Sequence, residues 1–110
     1  MVLAAVRAGG SLAYAVSEVR ADRAIIALAV REDGLELEFA SLELRADREV
    51  VLAALSETGY ALQFASEELR ADRSIVQAAV YRDGAGLQFT TPTLQTDTEL
   101  VQLSKRRRIG

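Results

Sequence analysis

The chain repeats itself every 25 residues, and this period constrains its fold more than any other feature. The tetrapeptide Arg-Ala-Asp-Arg recurs unchanged at 20–23, 45–48 and 70–73, and 13 of the 25 positions of 24–48 are identical in 49–73. Other positions keep the same spacing, namely Gly34, Gly59 and Gly84, Leu12, Leu37, Leu62 and Leu87, and the aromatic residues Tyr14, Phe39, Phe64 and Phe89. Such a period is typical of a solenoid, in which each unit buries its apolar face against its neighbours.

The unit at residues 47–71 begins with a pattern that predicts a long helix. Asp47 is placed to N-cap this helix, and Glu49 follows in the first turn, where the helix dipole favours an acidic side chain. Apolar residues then form the stripe of a helix that packs on one side, at Val50, Val51, Ala54 and Leu55. Gly59 stands where a left-handed C′ residue would end the helix.

The remainder of the unit predicts a short helix and a further helical turn, both of which can be partly 3₁₀. The short helix would cover 60–65, and a Ser or Thr cap at Ser41, Ser66 and Thr91 would start the further turn, at about 67–70 in this unit. The alternation over 35–39 leaves a strand open as a second interpretation, which would make the chain an α/β horseshoe. The Ala-rich counterparts of this segment favour the helical interpretation.

We therefore expect an all-α chain, a right-handed α-solenoid of about four 25-residue units. The predicted domain covers 1–104, with units at about 1–21, 22–46, 47–71 and 72–96, a partial capping unit at 97–104 and a basic C-terminal tail at 105–110. The first residues match the middle of a long helix, so we expect either a worn first unit or a fragment of a longer array. Self-association is then an open possibility, through an uncapped apolar face at Val2, Leu3 and Val6.

Two segments carry a family resemblance. Residues 47–55 read Asp-Arg-Glu-Val-Val-Leu-Ala-Ala-Leu, and residues 59–69 read Gly-Tyr-Ala-Leu-Gln-Phe-Ala-Ser-Glu-Glu-Leu. They resemble an uncharacterised helical repeat family whose copies read D-R-E-V-V-L-A-A-V, then G-x-A-L-x-Y-A-S-x-E-L, and occur in long tandem arrays in microbial proteins. The resemblance covers nearly the whole chain, is closest over 45–76 and fades after Phe89. It implies a repeat architecture and no known activity, cofactor or catalytic residue.

The composition removes most catalytic chemistry. The chain has no Cys and no His, so thiol nucleophiles, imidazole bases, disulfides and nearly all transition-metal sites are excluded. We expect no cofactor, no metal and no enzymatic activity, and no segment approaches the roughly 20 apolar residues of a membrane span. The lack of Cys leaves the redox compartment undetermined. The localisation is therefore unknown, with a soluble protein inside a cell or an organelle expected over a secreted one.

Charge is distributed unevenly along the chain. Lys105, Arg106, Arg107 and Arg108 form a basic cluster, and without these four residues the chain has 9 basic and 16 acidic side chains, a net charge of −7. An acidic body repels nucleic acid, so only this cluster could make an electrostatic contact with a phosphate backbone. The acidic residues Glu32, Asp33, Glu36, Glu38 and Glu43 lack the spacing of a calcium loop and are expected to be a solvated face.

The conserved spacing of the arginines allows two interpretations. Stacked units would align Arg20, Arg45 and Arg70 in one row, and Arg23, Arg48 and Arg73 in another. The rows would form a basic stripe for an anionic partner, or they would pair with the capping aspartates and tie unit to unit. Identity between copies favours the structural interpretation. The aromatic row that begins at Tyr14 is likewise expected to be stacked core rather than a ligand groove.

We expect a non-catalytic scaffold or accessory subunit that mediates protein–protein interaction, within a larger assembly if the partner belongs to one. The candidate partner-binding residues differ between copies while their neighbours do not, and they form two rows, Arg31, Ser56 and Tyr81, then Leu35, Tyr60 and Ala85. The alternative is a structural spacer or a self-associating fragment of a longer array.

Overall fold

The computed structural model describes residues 17–109. Within this range every regular element is helical and no strand occurs, so the all-α prediction is confirmed and the strand considered at 35–39 is wrong. The predictions for Leu12 and Tyr14, and for the apolar face at Val2, Leu3 and Val6, lie outside the described residues.

The described elements follow a recurring order of long α-helix, 3₁₀ helix and short α-helix. The long helices are α2 (Arg23–Glu32), α4 (Arg48–Glu57), α6 (Arg73–Arg82) and α8 (Thr98–Ile109). The 3₁₀ helices are η1 (Gly34–Phe39), η2 (Gly59–Phe64) and η3 (Gly84–Phe89). The short helices are α1 (Ser17–Arg20), α3 (Leu42–Arg45), α5 (Glu67–Arg70) and α7 (Pro92–Gln95).

Each long helix begins at an aspartate that accepts a backbone hydrogen bond. The carboxylate of Asp47 accepts from the N–H of Val50 at 3.1 Å, and that of Asp72 accepts from Ile75 at 3.3 Å. Equivalent bonds start α2 at Asp22 and α8 at Asp97. The side-chain oxygen satisfies one of the amides that have no partner in the first turn of a helix. The N-caps predicted from the sequence are therefore confirmed.

A 3₁₀ helix follows each of the long helices α2, α4 and α6 after one connecting residue. Its first turn is held by the side chain of Asp33, Thr58 or Asp83, which accepts a hydrogen bond from the N–H two residues later. The segment predicted as a short helix over 60–65 is thus the 3₁₀ helix η2. At six residues, η2 is longer than the usual 3₁₀ run of about three or four residues.

The short helices confirm the predicted caps in two units and depart from them in the third. The hydroxyls of Ser41 and Ser66 accept from the N–H groups of Leu44 and Leu69, and α5 coincides with the turn predicted at 67–70. Thr91 precedes α7 but makes no such bond, so the prediction that its side chain caps this helix is wrong. Pro at the first position of α7 has the backbone angle of a helix start and needs no amide partner there.

The elements form two packed layers with the core between them. Each long helix contacts the next long helix, each 3₁₀ helix contacts the next 3₁₀ helix, and the two layers contact each other within and between units. The predicted apolar stripe of α4 is fully buried at Val50, Val51, Ala54 and Leu55. Helix α8 packs on α6 and η3, with Leu100 only 1 % exposed, and it continues past residue 104 to Ile109.

The glycine that follows each long helix does not have the predicted role. Helix α4 ends with Thr58 in an extended conformation, at φ −154°, and Gly59 does not adopt a left-handed φ. A Cβ atom on Gly59 would instead lie 2.5 Å from the carbonyl oxygen of Ala79 in α6. Gly34 and Gly84 make the same approach to the next long helix, at 2.5 Å from the carbonyl oxygens of Ala54 and Ser104. These glycines let consecutive units pack backbone against backbone.

Substitution of Gly59 by Ala should therefore lower the free energy of unfolding. We expect a loss of about 1–3 kcal/mol, the usual cost of inserting a methylene into a packed core, since the clash is with a backbone atom that cannot rotate away. Urea unfolding followed by circular dichroism measures it. Gly86→Ala is the matched control, because its nearest contact is a side chain at 3.0 Å and Ala61 already fills this position in the preceding unit. An equal loss in both variants would contradict the proposed role of Gly59.

Candidate interaction surface

One arginine row ties each unit to the next. Nε of Arg23 lies 2.8 Å from the Asp47 carboxylate, and the pairs Arg48–Asp72 and Arg73–Asp97 close at 2.9 and 3.2 Å. Each aspartate therefore caps its own helix and also accepts from the preceding unit. These contacts agree with the structural interpretation of the Arg-Ala-Asp-Arg repeat, since both members of every pair recur with the period.

The same contacts lower the pKa values of the aspartates. Asp72 has its pKa lowered to about 2, first by the hydrogen bond from the Ser74 hydroxyl and then by Arg48. The pKa values of Asp47 and Asp97 are lowered chiefly by hydrogen bonds from the arginines of the preceding units. All three carboxylates are consequently charged at neutral pH, and the charged form is the one that the folded chain stabilises.

The second arginine row points into the protein rather than forming a free stripe. Arg45 donates to the carbonyl oxygens of Ala40 and Glu38 at 3.1 and 2.6 Å, and the guanidinium of Arg20 lies 5.8 Å from the centre of the Phe39 ring. The carbonyl of Arg45 also accepts from the N–H of Ser66 in the next unit. The Arg45 side chain therefore stabilises its own unit, whereas the Arg20 side chain and the Arg45 backbone contact the next unit.

The predicted acidic face is not assembled into a metal site in the part of the chain that the structure describes. No group of three or more carboxylates there could hold an ion. Asp33 caps η1, and Glu32, Glu38 and Glu43 are exposed. The aromatic row at Phe39, Phe64 and Phe89 is half-buried against the aliphatic core, as expected of a stacked core position.

The first row of candidate partner-binding residues lies exposed near the ends of the long helices. Ser56 and Tyr81 are brought together in a groove of about 610 Å³ between α4 and α6, and Tyr81 is 65 % exposed. We call this groove the outer groove, and its walls are Leu52, Leu55 and Ser56 from α4 and Ser74, Gln77, Ala78, Tyr81 and Arg82 from α6. The third residue of the row, Arg31, is exposed on α2 and does not line the outer groove.

The second candidate row lies on the layer of 3₁₀ helices. Leu35 and Tyr60 are each 42 % exposed, and Ala85 is half-buried. Tyr60 and Ala85 line a cleft of about 690 Å³ between η2 and η3, whereas Leu35 lies in another unit. The Tyr60 ring also contacts Phe89, with centroids 6.0 Å apart, so part of this side chain is used in packing.

The basic cluster continues helix α8. Lys105 is exposed, and the helix runs through the three arginines to Ile109. With the 25-residue period, Arg106 and Arg107 hold on α8 the positions that Tyr81 and Arg82 hold on α6. The cluster predicted as a separate tail thus follows the same register as the long helices.

Two surface residues were missed by the sequence analysis. Arg82 lines the outer groove, and its Nε donates to the carbonyl oxygen of Glu57 at 3.1 Å. The signal for it was a reversal of charge at one repeat position, where Glu32 and Glu57 are followed by Arg82. Leu42 is 78 % exposed on α3, and the change from Leu to Glu and Pro at this position in later units was available as a signal.

Asp72→Ala should destabilise the fold at neutral pH by about 0.5–2 kcal/mol, the usual cost of losing an N-cap. Because the pKa of Asp72 is lowered from 3.8 to about 2 in the folded state, its contribution is complete above about pH 5 and is lost as the pH falls through 3.8 towards 2. The difference between the free energies of unfolding of wild type and Asp72→Ala, measured in urea from pH 7 to pH 2, should therefore shrink on acidification.

Arg48→Gln is the control for the cap. It removes the exposed ion pair but leaves the carboxylate on the helix, so we expect a loss of at most about 1 kcal/mol. A loss as large as that of Asp72→Ala would mean that the ion pair, rather than the cap, is the main contribution of Asp72.

Of three comparisons with known proteins, one found a match, and it is to a family of unknown function. A family model described as a domain of unknown function (DUF4116) matches residues 47–95, a little under half of the chain. A search of curated proteins and a search of solved structures each found no match. No helix in the described part of the chain combines the length and the apolar character needed to cross a membrane. The family match extends from the cap of α4 to the end of α7, the region that also contains the outer groove.

Proposed function

We propose that the chain is a non-catalytic scaffold or accessory subunit that binds a protein partner on the outer surface of its long helices. In this proposal the units form a right-handed α-solenoid of about four repeats, and 1–104 act as one domain. Proteins of this architecture present extended surfaces built from one helix of each unit.

The supporting observation is the separation of constant and variable positions. The residues that recur in each copy, namely the aspartate caps, their arginine partners and the glycines, are used in contacts between units. Arg31, Ser56 and Tyr81 differ from copy to copy and lie exposed. A position that varies between copies while its neighbours stay constant can carry a side chain that specifies a partner.

The outer groove is the part of this surface best suited to recognition. Its apolar walls include Leu52, Leu55 and Ala78, and the largely exposed Tyr81 stands at its edge. Tyrosine is enriched among the residues that dominate interface energies, because it combines a large apolar ring with a polar hydroxyl. The proposal therefore places the energetic centre of the interface at Tyr81.

A photo-crosslinkable phenylalanine derivative at position 56 should trap the same protein reproducibly in the native host. Tyr81→Ser should reduce that adduct strongly, because it removes the aromatic side chain from the opposite wall of the groove. Ser56 already occupies the equivalent position in α4, so this variant should melt like the wild type. Denaturing electrophoresis and mass spectrometry identify the adduct.

The matched control places the same photo-reactive residue at Thr93, which is exposed on α7 and does not line the outer groove. No adduct with the same protein is expected there. Equal adducts from both positions, or none from position 56, would overturn the proposed function.

A further inference from the structure

The charge of the chain reverses along the repeats. Residues 22–71 contain eleven acidic and five basic side chains, whereas residues 72–110 contain four acidic and six basic ones. The outer groove lies where the two parts meet, because α4 belongs to the first and α6 to the second. Along the sequence, the groove therefore marks the change from an excess of acidic residues to an excess of basic ones.

The edge of the groove shows this reversal at one repeat position. Glu57 turns its carboxylate to the N–H of Gly34, which lies 2.7 Å away in the preceding unit. Arg82 occupies the equivalent position and donates through Nε to the carbonyl oxygen of Glu57. This bond holds the stem of Arg82 in place, and the side chain remains exposed beside Tyr81. The third unit thus presents a fixed cation where the earlier units have an acid.

We propose that the outer groove binds an acidic amphipathic segment of a protein partner. This inference rests on the proposed scaffold function and adds the chemistry of the ligand. Apolar side chains of the segment would contact the half-buried Leu52 and Ala78 and the exposed ring of Tyr81, and its carboxylates would accept hydrogen bonds from Arg82.

The observations favour an acidic protein segment over a nucleic acid. The groove has aliphatic walls, which match apolar side chains rather than phosphates. The adjoining units carry a large excess of acid and would repel a phosphate backbone that extended along the helices. A short amphipathic segment avoids this repulsion, because it needs only the groove and its basic edge.

Fluorescence anisotropy with a labelled peptide tests the inference on the full chain. The probe is a helical peptide of about 12 residues, long enough to cover α6, with Leu on one face and Glu on the other. We expect binding that weakens with added salt, and a loss of affinity of about tenfold for Arg82→Glu, since a favourable charge pair becomes a repulsive one. Tyr81→Ser should weaken binding as well, with both variants checked by thermal unfolding.

Arg82→Glu should fold, because a glutamate, Glu57, already occupies the equivalent position of the preceding unit. The matched control is the double variant Leu42→Glu/Thr93→Glu, which makes the same change in net charge at two exposed positions outside the groove. A glutamate already occupies both positions in another unit, so this variant should fold as well. Its affinity should stay within about twofold of wild type, as expected for screened distant charges. Equal losses in the double variant and in Arg82→Glu would overturn the inference in favour of a bulk charge effect.

Two further probes separate the alternatives. A peptide with Lys in place of Glu should not bind, and single-stranded oligothymidylate should bind more weakly than the acidic peptide. Tighter binding of the oligothymidylate, or no binding of the acidic peptide, would overturn the inference. If in that case Arg82→Glu still forms the adduct from position 56, the scaffold function stands and only the acidic ligand is wrong.

Discussion

The contact between each glycine and the carbonyl oxygen of the next long helix determines how closely consecutive units approach. At Gly34, Gly59 and Gly84 there is no room for a Cβ atom, because it would lie 2.5 Å from a backbone oxygen. This approach brings the layers close enough for small aliphatic residues to fill the fully buried core, and Phe39, Phe64 and Phe89 pack against it half-buried. The arginines at the other end of the long helices can then reach the aspartates of the next unit.

The carboxylates of Asp47, Asp72 and Asp97 each make two kinds of contact, a cap on their own helix and an ion pair with the preceding unit. Each carboxylate satisfies the first turn of its helix and accepts from an arginine of the preceding unit, so local folding and stacking stabilise each other. The pKa values of Asp47 and Asp97 are lowered chiefly by their arginine partners, and that of Asp72 is lowered first by the Ser74 hydroxyl and then by Arg48. The pairs are partly exposed, so their contribution is modest beside burial of the aliphatic core, and they mainly define how units are aligned.

Departures from the repeat change contacts between units in one place and the exposed surface in another. Thr90 donates its hydroxyl to the carbonyl oxygen of Arg70, and this bond replaces the backbone bond that Ser41 and Ser66 make in the earlier units. Glu57 accepts a hydrogen bond from the N–H of Gly34, whereas Arg82, at the equivalent position, donates one to the carbonyl oxygen of Glu57 at the end of α4. The bond made by Thr90 preserves the contact between two units. The exchange of Glu57 for Arg82, together with Tyr81, changes the exposed surface, and we propose that this change serves recognition of a protein partner.

The sequence by itself determined the period, the all-α class, the aspartate and serine caps and the buried stripe of α4, because these depend on hydrogen bonds and contacts within a few residues. The variable row containing Ser56 and Tyr81 was also predicted from the sequence, but not that α4 and α6 bring them into one groove. Only the tertiary structure decided the role of Gly59, which of the two arginine rows pairs with the aspartates, and the position of Arg82. These features depend on contacts between residues about one repeat apart, whose distances are determined by how the units stack.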